Sequence, residues 1–129
     1  MKAYLDTSAV LDLLDRSGIR YLAAQKAIET EVRTWCISDL VRLECLVRPL
    51  RLKDNDAESE VRTVLGSIDC LSLVSSVFDD AAKLRADFGL RTPDAIHLAA
   101  ALHHGCEEFW TNDEKLTKAS VDITFRRFE

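Results

Sequence analysis

The sequence, 129 residues long, lacks most of the features that mark specialised classes of protein. Only 4 Gly and 2 Pro are present, which excludes collagen-like and low-complexity chains. Apolar runs such as 98–102 fall far short of the roughly 18 residues that a membrane span needs. No long apolar stretch follows Met1, so we expect no signal peptide. These absences and the length predict a single domain over residues 1–129, located in the cytoplasm.

Cysteine pairs and an excess of positive charge are also missing. The 4 cysteines form no C-x-x-C motif, which argues against a zinc knuckle or a thioredoxin-type site, and we expect reduced thiols packed as small apolar side chains. The formal net charge of −5 disfavours a protein that coats nucleic acid through charge alone. An acidic pocket whose sign a bound metal ion reverses is compatible with this balance.

Short apolar runs alternate with longer segments that have helical spacing. The predicted strands are Lys2–Leu5, Trp35–Ile37, Leu71–Val74, Phe109–Thr111 and Ile123–Phe125. The predicted helices are Val10–Leu14, Ile19–Val32, Leu40–Leu50, Asp56–Ile68, Val77–Phe88 and Pro93–His104. This alternation predicts an α/β fold, with a central, mainly parallel sheet of four to five short strands and helices on both faces.

Three aspartates stand where strands end or helices begin. Asp6 directly follows the first strand, and Asp113 follows the fourth strand at a point where we expect another helix to begin. Asp94 falls in the first turn of a helix for which Thr92 is the expected N-cap and Pro93 the first residue. Because these positions share one edge of a parallel α/β sheet, the three carboxylates are expected to converge on one crevice.

A fourth acid, Glu44, lies inside the third helix. It is flanked by Leu43 and Cys45 and lies beside an apolar stripe with spacings of three and four, formed by Leu40, Leu43, Val47 and Leu50. An acid in this setting is expected to be at least partly buried. Like charges brought close together oppose folding unless a cation neutralises them, and hard divalent cations take oxygen ligands. The set predicts Mg²⁺ or Mn²⁺ rather than zinc.

Each acid also has a purely structural interpretation. Asp94 and Asp113 could be helix caps, Asp6 could form an Asx turn, and Glu44 could pair with Arg48 on a solvated helix face. The joint occurrence of the four acids favours a shared site over four separate structural roles.

Four segments together resemble the PIN-domain family, and within it the VapC toxins of bacterial toxin–antitoxin pairs. They are 4–9 (YLDTSA), 39–44 (DLVRLE), 91–101 (RTPDAIHLAAA) and 110–113 (WTND). The resemblance implies a PIN-like three-layer α/β/α domain and a Mg²⁺- or Mn²⁺-dependent endoribonuclease that cleaves RNA phosphodiesters with metal-activated water and leaves a 5′-phosphate. The four acids map onto the family's acidic quartet, as catalytic residues and metal ligands: Asp6, Glu44, Asp94 and Asp113.

The resemblance also implies neighbouring hydroxyls and protein partners. Thr7 or Ser8, together with Thr111, would orient a ligand or water. A VapB-type antitoxin would cover the active site, and the toxin would form a homodimer and a hetero-oligomer with the antitoxin in the cytoplasm.

Other residues have two open interpretations. Four basic residues on or just after the third helix could hold RNA phosphates or form a solvated face. They are Arg42, Arg48, Arg51 and Lys53. Arg91 has the same two interpretations. We expect Phe109 and Trp110 to be core residues rather than platforms for bases, and His97 to fill a helix face rather than bond to Asp94.

Three other functions share parts of this pattern. A haloacid-dehalogenase-type phosphatase needs a second Asp where this chain has Ser8, and a receiver domain needs an acidic pair after the first strand. A catalytically silent PIN-like module that binds RNA or protein is the remaining alternative. It is disfavoured because silent versions usually lose members of the quartet.

Overall fold

The computed structural model describes all residues, 1–129, as alternating strands and helices. In chain order they are β1 (Lys2–Leu5), α1 (Thr7–Leu14), α2 (Tyr21–Thr30), β2 (Thr34–Ser38), α3 (Asp39–Leu52), α4 (Asn55–Gly66), β3 (Asp69–Leu71), α5 (Ser75–Phe88), α6 (Thr92–His103), β4 (Glu108–Trp110), a short 3-10 helix (Leu116–Lys118) and β5 (Thr124–Arg126). None of the helices is both long and apolar enough to cross a membrane.

The five strands form one sheet in the order β3-β2-β1-β4-β5, and every pair is parallel. Helices α1 to α4 pack together as one group, and α5 packs along α6 as another. The right-handed connections of parallel strands carry these two groups to opposite faces of the sheet. The predicted α/β/α architecture with a mainly parallel sheet is therefore confirmed.

The order of the strands determines where a ligand can bind. The chain moves outward from β1 to β2 and β3, and then crosses to β4 and β5 on the other side of β1. In such sheets the crevice lies beyond the carboxyl ends of the strands on either side of this reversal, here β1 and β4. The backbone N–H of Asp6 donates to the carbonyl of Trp110 at 3.1 Å, which joins these two strand ends.

The centre of the sheet is strongly apolar. Strand β1 contributes three fully buried residues, and Tyr4 stacks on Phe109 of β4 with ring centroids 5.3 Å apart. Phe109 and Trp110 are both buried, so their expected place in the core is confirmed. Asp6 therefore follows directly on a strand whose last three residues are fully buried.

Two boundaries differ from the sequence predictions. The third strand is Asp69–Leu71 instead of Leu71–Val74, because the later part of that apolar run leads into α5, with Val74 as its half-exposed N-cap. Helix α2 is shorter than 19–32, and Ile19 and Val32 lie outside it with over nine-tenths of their surface exposed. In both places the apolar residues continue beyond the end of the strand or helix, so hydrophobicity alone misplaced the boundaries.

The apolar stripe of α3 is on the opposite side of the helix from the core. Val41 and Cys45 belong to the buried face, whereas Leu43, Val47 and Leu50 are 60%, 42% and 52% exposed. The sequence contains two apolar faces on this helix, and the larger side chains are on the outer one. All four cysteines are free, as expected, but Cys70 is exposed and corrects the prediction that all four are packed inside.

Candidate active site

Asp6 ends β1 and begins α1. Its Oδ1 accepts hydrogen bonds from the backbone N–H of Ala9 at 3.0 Å and from the Ser8 hydroxyl at 2.6 Å, so the side chain is the N-cap of α1. Only 5% of Asp6 is exposed, and this burial raises the pKa of its carboxyl, although the hydrogen bonds from Ser8, Thr111 and Ala9 act in the opposite direction. The structural and functional interpretations of Asp6 are therefore not exclusive.

Asp94 lies in the first turn of α6, as predicted, but the cap differs. The N-cap is Arg91, without a side-chain capping bond, and Thr92 is the first helical residue. The helix begins one residue earlier than predicted, because a proline is tolerated throughout the first helical turn and Pro93 can therefore be the second helical residue. Asp94 is mostly buried and its Oδ2 accepts from the Arg91 Nε at 3.0 Å.

Asp113 lies in the loop after β4, where no α-helix begins. Its Oδ1 accepts from the backbone N–H of Lys115 at 2.9 Å, which is an Asx turn, and only a 3-10 helix follows from Leu116. The expected helix start at this position is wrong because the turn leads into a single short helical turn. Asp113 Oδ2 lies 3.9 Å from a terminal nitrogen of Arg91, so Arg91 bridges Asp94 and Asp113.

Glu44 reaches from α3 towards α1 and α6. Its Oε1 accepts from the Thr7 hydroxyl and from His97 Nε2, both at 2.7 Å. The hydrogen bond from His97 lowers the pKa of the Glu44 carboxyl, and burial only partly offsets it. Glu44 is partly buried, as predicted, but it makes no ion pair with Arg48.

His97 and Tyr4 are connected to Glu44 by hydrogen bonds that the sequence did not predict. His97 is 2% exposed and does not bond to Asp94; its Nδ1 lies 2.7 Å from the Tyr4 hydroxyl, which in turn lies 2.8 Å from the Ser38 hydroxyl. Both residues fall inside the motifs that carry the family resemblance, Tyr4 two positions before Asp6 and His97 three after Asp94. That proximity is the signal that could have identified them.

Hydroxyl groups connect the strand ends. The Ser8 hydroxyl donates to Asp6 and accepts from the backbone N–H of Asn112 at 2.9 Å, and the Thr111 hydroxyl accepts from the backbone N–H of Asp113 at 3.0 Å. The Asn112 side chain donates to a fifth acid, Asp12 of α1, whose pKa is raised by burial. These bonds attach the loop after β4 to the start of α1.

The four acids share one edge of the sheet, but they do not line one pocket. Asp94 and Asp113 line an open pocket of about 670 Å³ together with Arg91 and Asn112. Asp6 and Glu44 lie outside its lining and are joined to the same edge through Ser8, Thr7 and His97.

The chemistry of these side chains fits a hard dication. They offer only oxygen donors, which Mg²⁺ and Mn²⁺ prefer. The guanidinium of Arg91 lies against both Asp94 and Asp113, so this pair of carboxylates already attracts a positive charge. No three His, Cys, Asp or Glu side chains are grouped as a complete metal site. Mg²⁺ is usually held by one or two carboxylates and keeps several water ligands, so a pair such as Asp94 and Asp113 is compatible with it.

The basic residues of α3 are free of intramolecular partners. Arg42, Arg48, Arg51 and Lys53 are exposed and make no ion pair. Arg48 and Arg51 are one and two turns from Glu44, on the same side of the helix. Phosphates beside Glu44 are therefore within reach of cations on the same helix.

Comparison with known proteins identifies the family. The model of the PIN domain matches residues 3–121, which is nearly the whole chain. The chain belongs to the PIN-domain family. None of the curated proteins matches this PIN domain in sequence.

Several solved structures with the same fold come from toxin–antitoxin systems. A toxin–antitoxin complex from Klebsiella pneumoniae has 26% identity and a TM-score of 0.78, with coverage of 95% of this chain and 96% of that one. VapBC2 from Rickettsia felis, bound to a DNA fragment from its promoter, has 13% identity, a TM-score of 0.81 and full coverage of both chains. VapC20 from Mycobacterium tuberculosis, a toxin that cleaves the sarcin–ricin loop, has 16% identity, a TM-score of 0.78 and coverage of 95% and 99%. The resemblance to VapC-type PIN domains is confirmed.

Proposed function

We propose that this PIN domain, residues 1–129, is a metal-dependent endoribonuclease and the toxin of a type II toxin–antitoxin system in the cytoplasm. One observation carries the proposal: in a chain of this family, four acids from four separate segments come to the sheet edge beside the reversal between β1 and β4. An all-carboxylate group at a ligand-binding edge is suited to a divalent cation and a phosphodiester substrate.

The residues have distinct parts in this proposal. Asp6, Asp94, Asp113 and Glu44 would hold Mg²⁺ or Mn²⁺, which, when bound, supplies a water of lowered pKa and neutralises charge on phosphate oxygens. Ser8 and Thr7 keep Asp6 and Glu44 in fixed orientations through bonds of 2.6 and 2.7 Å. The buried position of Asp6 limits access of bulk water to its carboxylate.

RNA would be held by the exposed cations of α3. A chain with a net charge of −5 binds RNA only where basic groups are concentrated, and Arg48 and Arg51 have no competing carboxylate partner. Lys53 follows the last turn of α3, whereas Arg42 lies near its start on the side of the helix opposite Glu44.

An antitoxin of the VapB type would cover this region. Leu43 and Val47 are adjacent to Glu44 on α3 and stay exposed, and exposed apolar side chains beside a site favour contact with a protein. The Rickettsia felis relative is a complex of VapB and VapC. We also propose a homodimer, as the resemblance implies, within the toxin–antitoxin hetero-oligomer.

The deciding experiment is RNA cleavage by the purified protein. We expect cleavage with Mg²⁺ or Mn²⁺, products with a 5′-phosphate, no cleavage in EDTA, and recovery when Mg²⁺ is added back in excess. Cleavage that persists in EDTA excludes the mechanism. The alternative, a catalytically silent PIN-like module that binds RNA or protein, predicts binding without cleavage under every condition.

A genetic experiment tests the toxin assignment separately. Expression of the protein is expected to arrest growth, and co-expression of a small reading frame adjacent to its gene is expected to restore it. Growth unaffected by a folded and active nuclease argues against a toxin, while leaving the nuclease activity intact.

A further inference from the structure

The group on which this inference rests is a buried chain of hydrogen bonds that ends on one oxygen of Glu44. It runs from the Ser38 hydroxyl to the Tyr4 hydroxyl at 2.8 Å, to His97 Nδ1 at 2.7 Å, and from His97 Nε2 to Glu44 Oε1 at 2.7 Å. Ser38, Tyr4 and His97 are each at most 2% exposed. The chain of hydrogen bonds connects β2, β1, α6 and α3.

The direction of these bonds follows from the chemistry of the two ends. A carboxylate can only accept, so His97 Nε2 must carry the proton that it shares with Glu44. A phenol carries its proton at neutral pH, so Tyr4 can donate to His97 Nδ1, which lies 2.7 Å from its hydroxyl oxygen. Ser38 is at the N-cap position of α3 yet makes no capping bond, because its hydroxyl is directed to Tyr4 instead.

The two oxygens of Glu44 are consequently unequal. Oε1 accepts from both Thr7 and His97, whereas Oε2 accepts no hydrogen bond from the protein. A carboxylate anchored at one oxygen has a fixed orientation, and its free oxygen points in one direction. Errors of about 1 Å in such a group can lower a rate by roughly a hundredfold.

We propose that Tyr4 and His97 are positioning residues: they anchor Glu44 through Oε1, so that Oε2 is the oxygen that takes part in the reaction. This inference rests on the proposed nuclease function. It assigns a role to two core residues outside the acidic quartet. It also assigns a different function to each oxygen of Glu44: Oε1 is the anchored atom and Oε2 the reacting one.

Two amide variants separate anchoring from packing. In His97→Gln the amide nitrogen can occupy the place of Nε2 and donate to Glu44, whereas in His97→Asn it is near the place of Nδ1 and reaches only Tyr4. We expect His97→Gln to keep kcat within about threefold of wild type. We expect His97→Asn to lose roughly 10- to 100-fold in kcat with little change in KM, which is the usual scale for a partner that orients a site residue.

The matched control is His103→Gln, an exposed histidine near the end of the same helix, for which no change is expected. Tyr4→Phe removes only the phenol oxygen and is expected to lower kcat by a few-fold without affecting KM. Equal losses of kcat in His97→Asn and His97→Gln, or no loss in either, overturn the proposal, because anchoring of Glu44 depends on the position of the amide nitrogen. Asn is also smaller than Gln, so a packing role would instead lower the free energy of unfolding of His97→Asn and leave kcat of the folded protein unchanged, which overturns the proposal as well.

A measurement on the unaltered protein keeps the test independent of whether His97→Asn folds. With ¹⁵N-labelled histidine at neutral pH, and the signals assigned with His103→Gln and His104→Gln, we expect His97 to be protonated at Nε2. A signal from Nε2 without a proton overturns the proposal. This readout does not depend on activity, so a failure of the proposed nuclease function can be distinguished from a failure of the proposed hydrogen bond between His97 and Glu44.

Discussion

Two acid-containing regions of this protein contrast in how their charges are compensated. At the amino-terminal side of β4, the buried Glu108 receives two bonds from Arg33, at 2.6 and 3.3 Å, one from Arg126 at 3.0 Å and one from Trp110 at 3.2 Å. At the opposite edge, four carboxylates share one exposed arginine, Arg91, and one histidine, His97. Two arginines lie against the single carboxylate of the first region, whereas the four carboxylates of the second have few cationic groups beside them.

This difference explains why one region can support the fold and the other can support chemistry. The arginines hold the pKa of Glu108 below its ordinary value although burial acts in the opposite direction, so a charged Glu108 stabilises the folded state. Burial raises the pKa of Asp6 with no arginine in contact, so a charged Asp6 opposes folding. Because the negative charges at this edge outnumber the positive ones, the edge can bind a cation from solution.

The largest expected effect comes from removing an acid from the uncompensated edge. Asp94→Asn is expected to lower RNA cleavage by roughly a thousandfold, because loss of a metal ligand removes several kcal/mol of transition-state stabilisation and each 1.36 kcal/mol is about a factor of ten. Stability is expected to be unchanged or raised, because one of four like charges is gone. Single-turnover cleavage and thermal unfolding measure the two effects.

The control is Asp87→Asn, an exposed acid at the end of α5 without a hydrogen-bond partner, and it should leave both quantities unchanged. If Asp94→Asn cleaves RNA as fast as wild type, the acidic edge is not the active site.

The reverse pattern is expected in the compensated region. Glu108→Gln is expected to lower the free energy of unfolding by about 3 kcal/mol at pH 7, because it removes the buried carboxylate charge that pairs with Arg33 and Arg126. Of its ion pairs, the mostly buried Arg33 then keeps only its 3.5 Å contact with Glu31. The rate of cleavage by the folded protein should not change. Urea denaturation measures the loss, with Glu107→Gln as the control, since that neighbour is exposed and makes no ion pair.

The pH dependence of this loss has a defined sign. Because the pKa of Glu108 is lower in the folded state than its ordinary value of 4.5, its stabilisation is present above that pH and is lost as the pH falls through the folded value. The difference between wild type and Glu108→Gln should therefore shrink from neutral to acidic pH. A constant difference across this range contradicts the contribution of the Glu108 charge.

The sequence was sufficient for the architecture and for the candidate acids. Alternating apolar runs predicted five strands and six helices, and chain position placed Asp6, Asp94 and Asp113 at one edge of the sheet. Their catalytic roles remain predictions, whereas the shared edge is a property of the fold. Local signals were adequate here because strand ends and helix starts are encoded by neighbouring residues.

The sequence was insufficient where two faces or distant partners compete. Helix α3 has apolar side chains on both faces, and only the packing against the sheet shows that Val41 is inside and Leu43 outside. The hydrogen bond between Tyr4 and His97 joins residues 93 positions apart, so no local pattern predicts it. For the same reason, the sequence alone cannot distinguish a histidine that only fills a helix face from one that is hydrogen-bonded to an acid.

A smaller effect is expected from the basic residues of α3. Arg48→Ala should raise KM for RNA roughly fivefold near 0.1 M salt and reduce the salt dependence of binding by about one counterion, with kcat unchanged. Fluorescence anisotropy with RNA over a range of salt concentrations measures the binding and its salt dependence, and cleavage kinetics measure KM and kcat. Arg16→Ala, an exposed arginine in the turn after α1, is the control. A fall in kcat at constant KM would show that Arg48 belongs to the reacting centre instead of the RNA-binding surface.

The smallest expected effect concerns the one arginine at the uncompensated edge. Arg91 lies against Asp94 and Asp113, and its charge opposes the approach of a dication to the same carboxylates. Arg91→Ala should therefore bind Mn²⁺ roughly threefold more tightly, as expected for charges separated by several ångström in a largely aqueous setting. Arg91→Lys keeps the charge and should bind Mn²⁺ as wild type does. Calorimetric titration with Mn²⁺ alone measures both variants. Weaker binding by Arg91→Ala would mean that Arg91 holds the two carboxylates in place for the ion, and the edge would then resemble the region around Glu108 more than it differs from it.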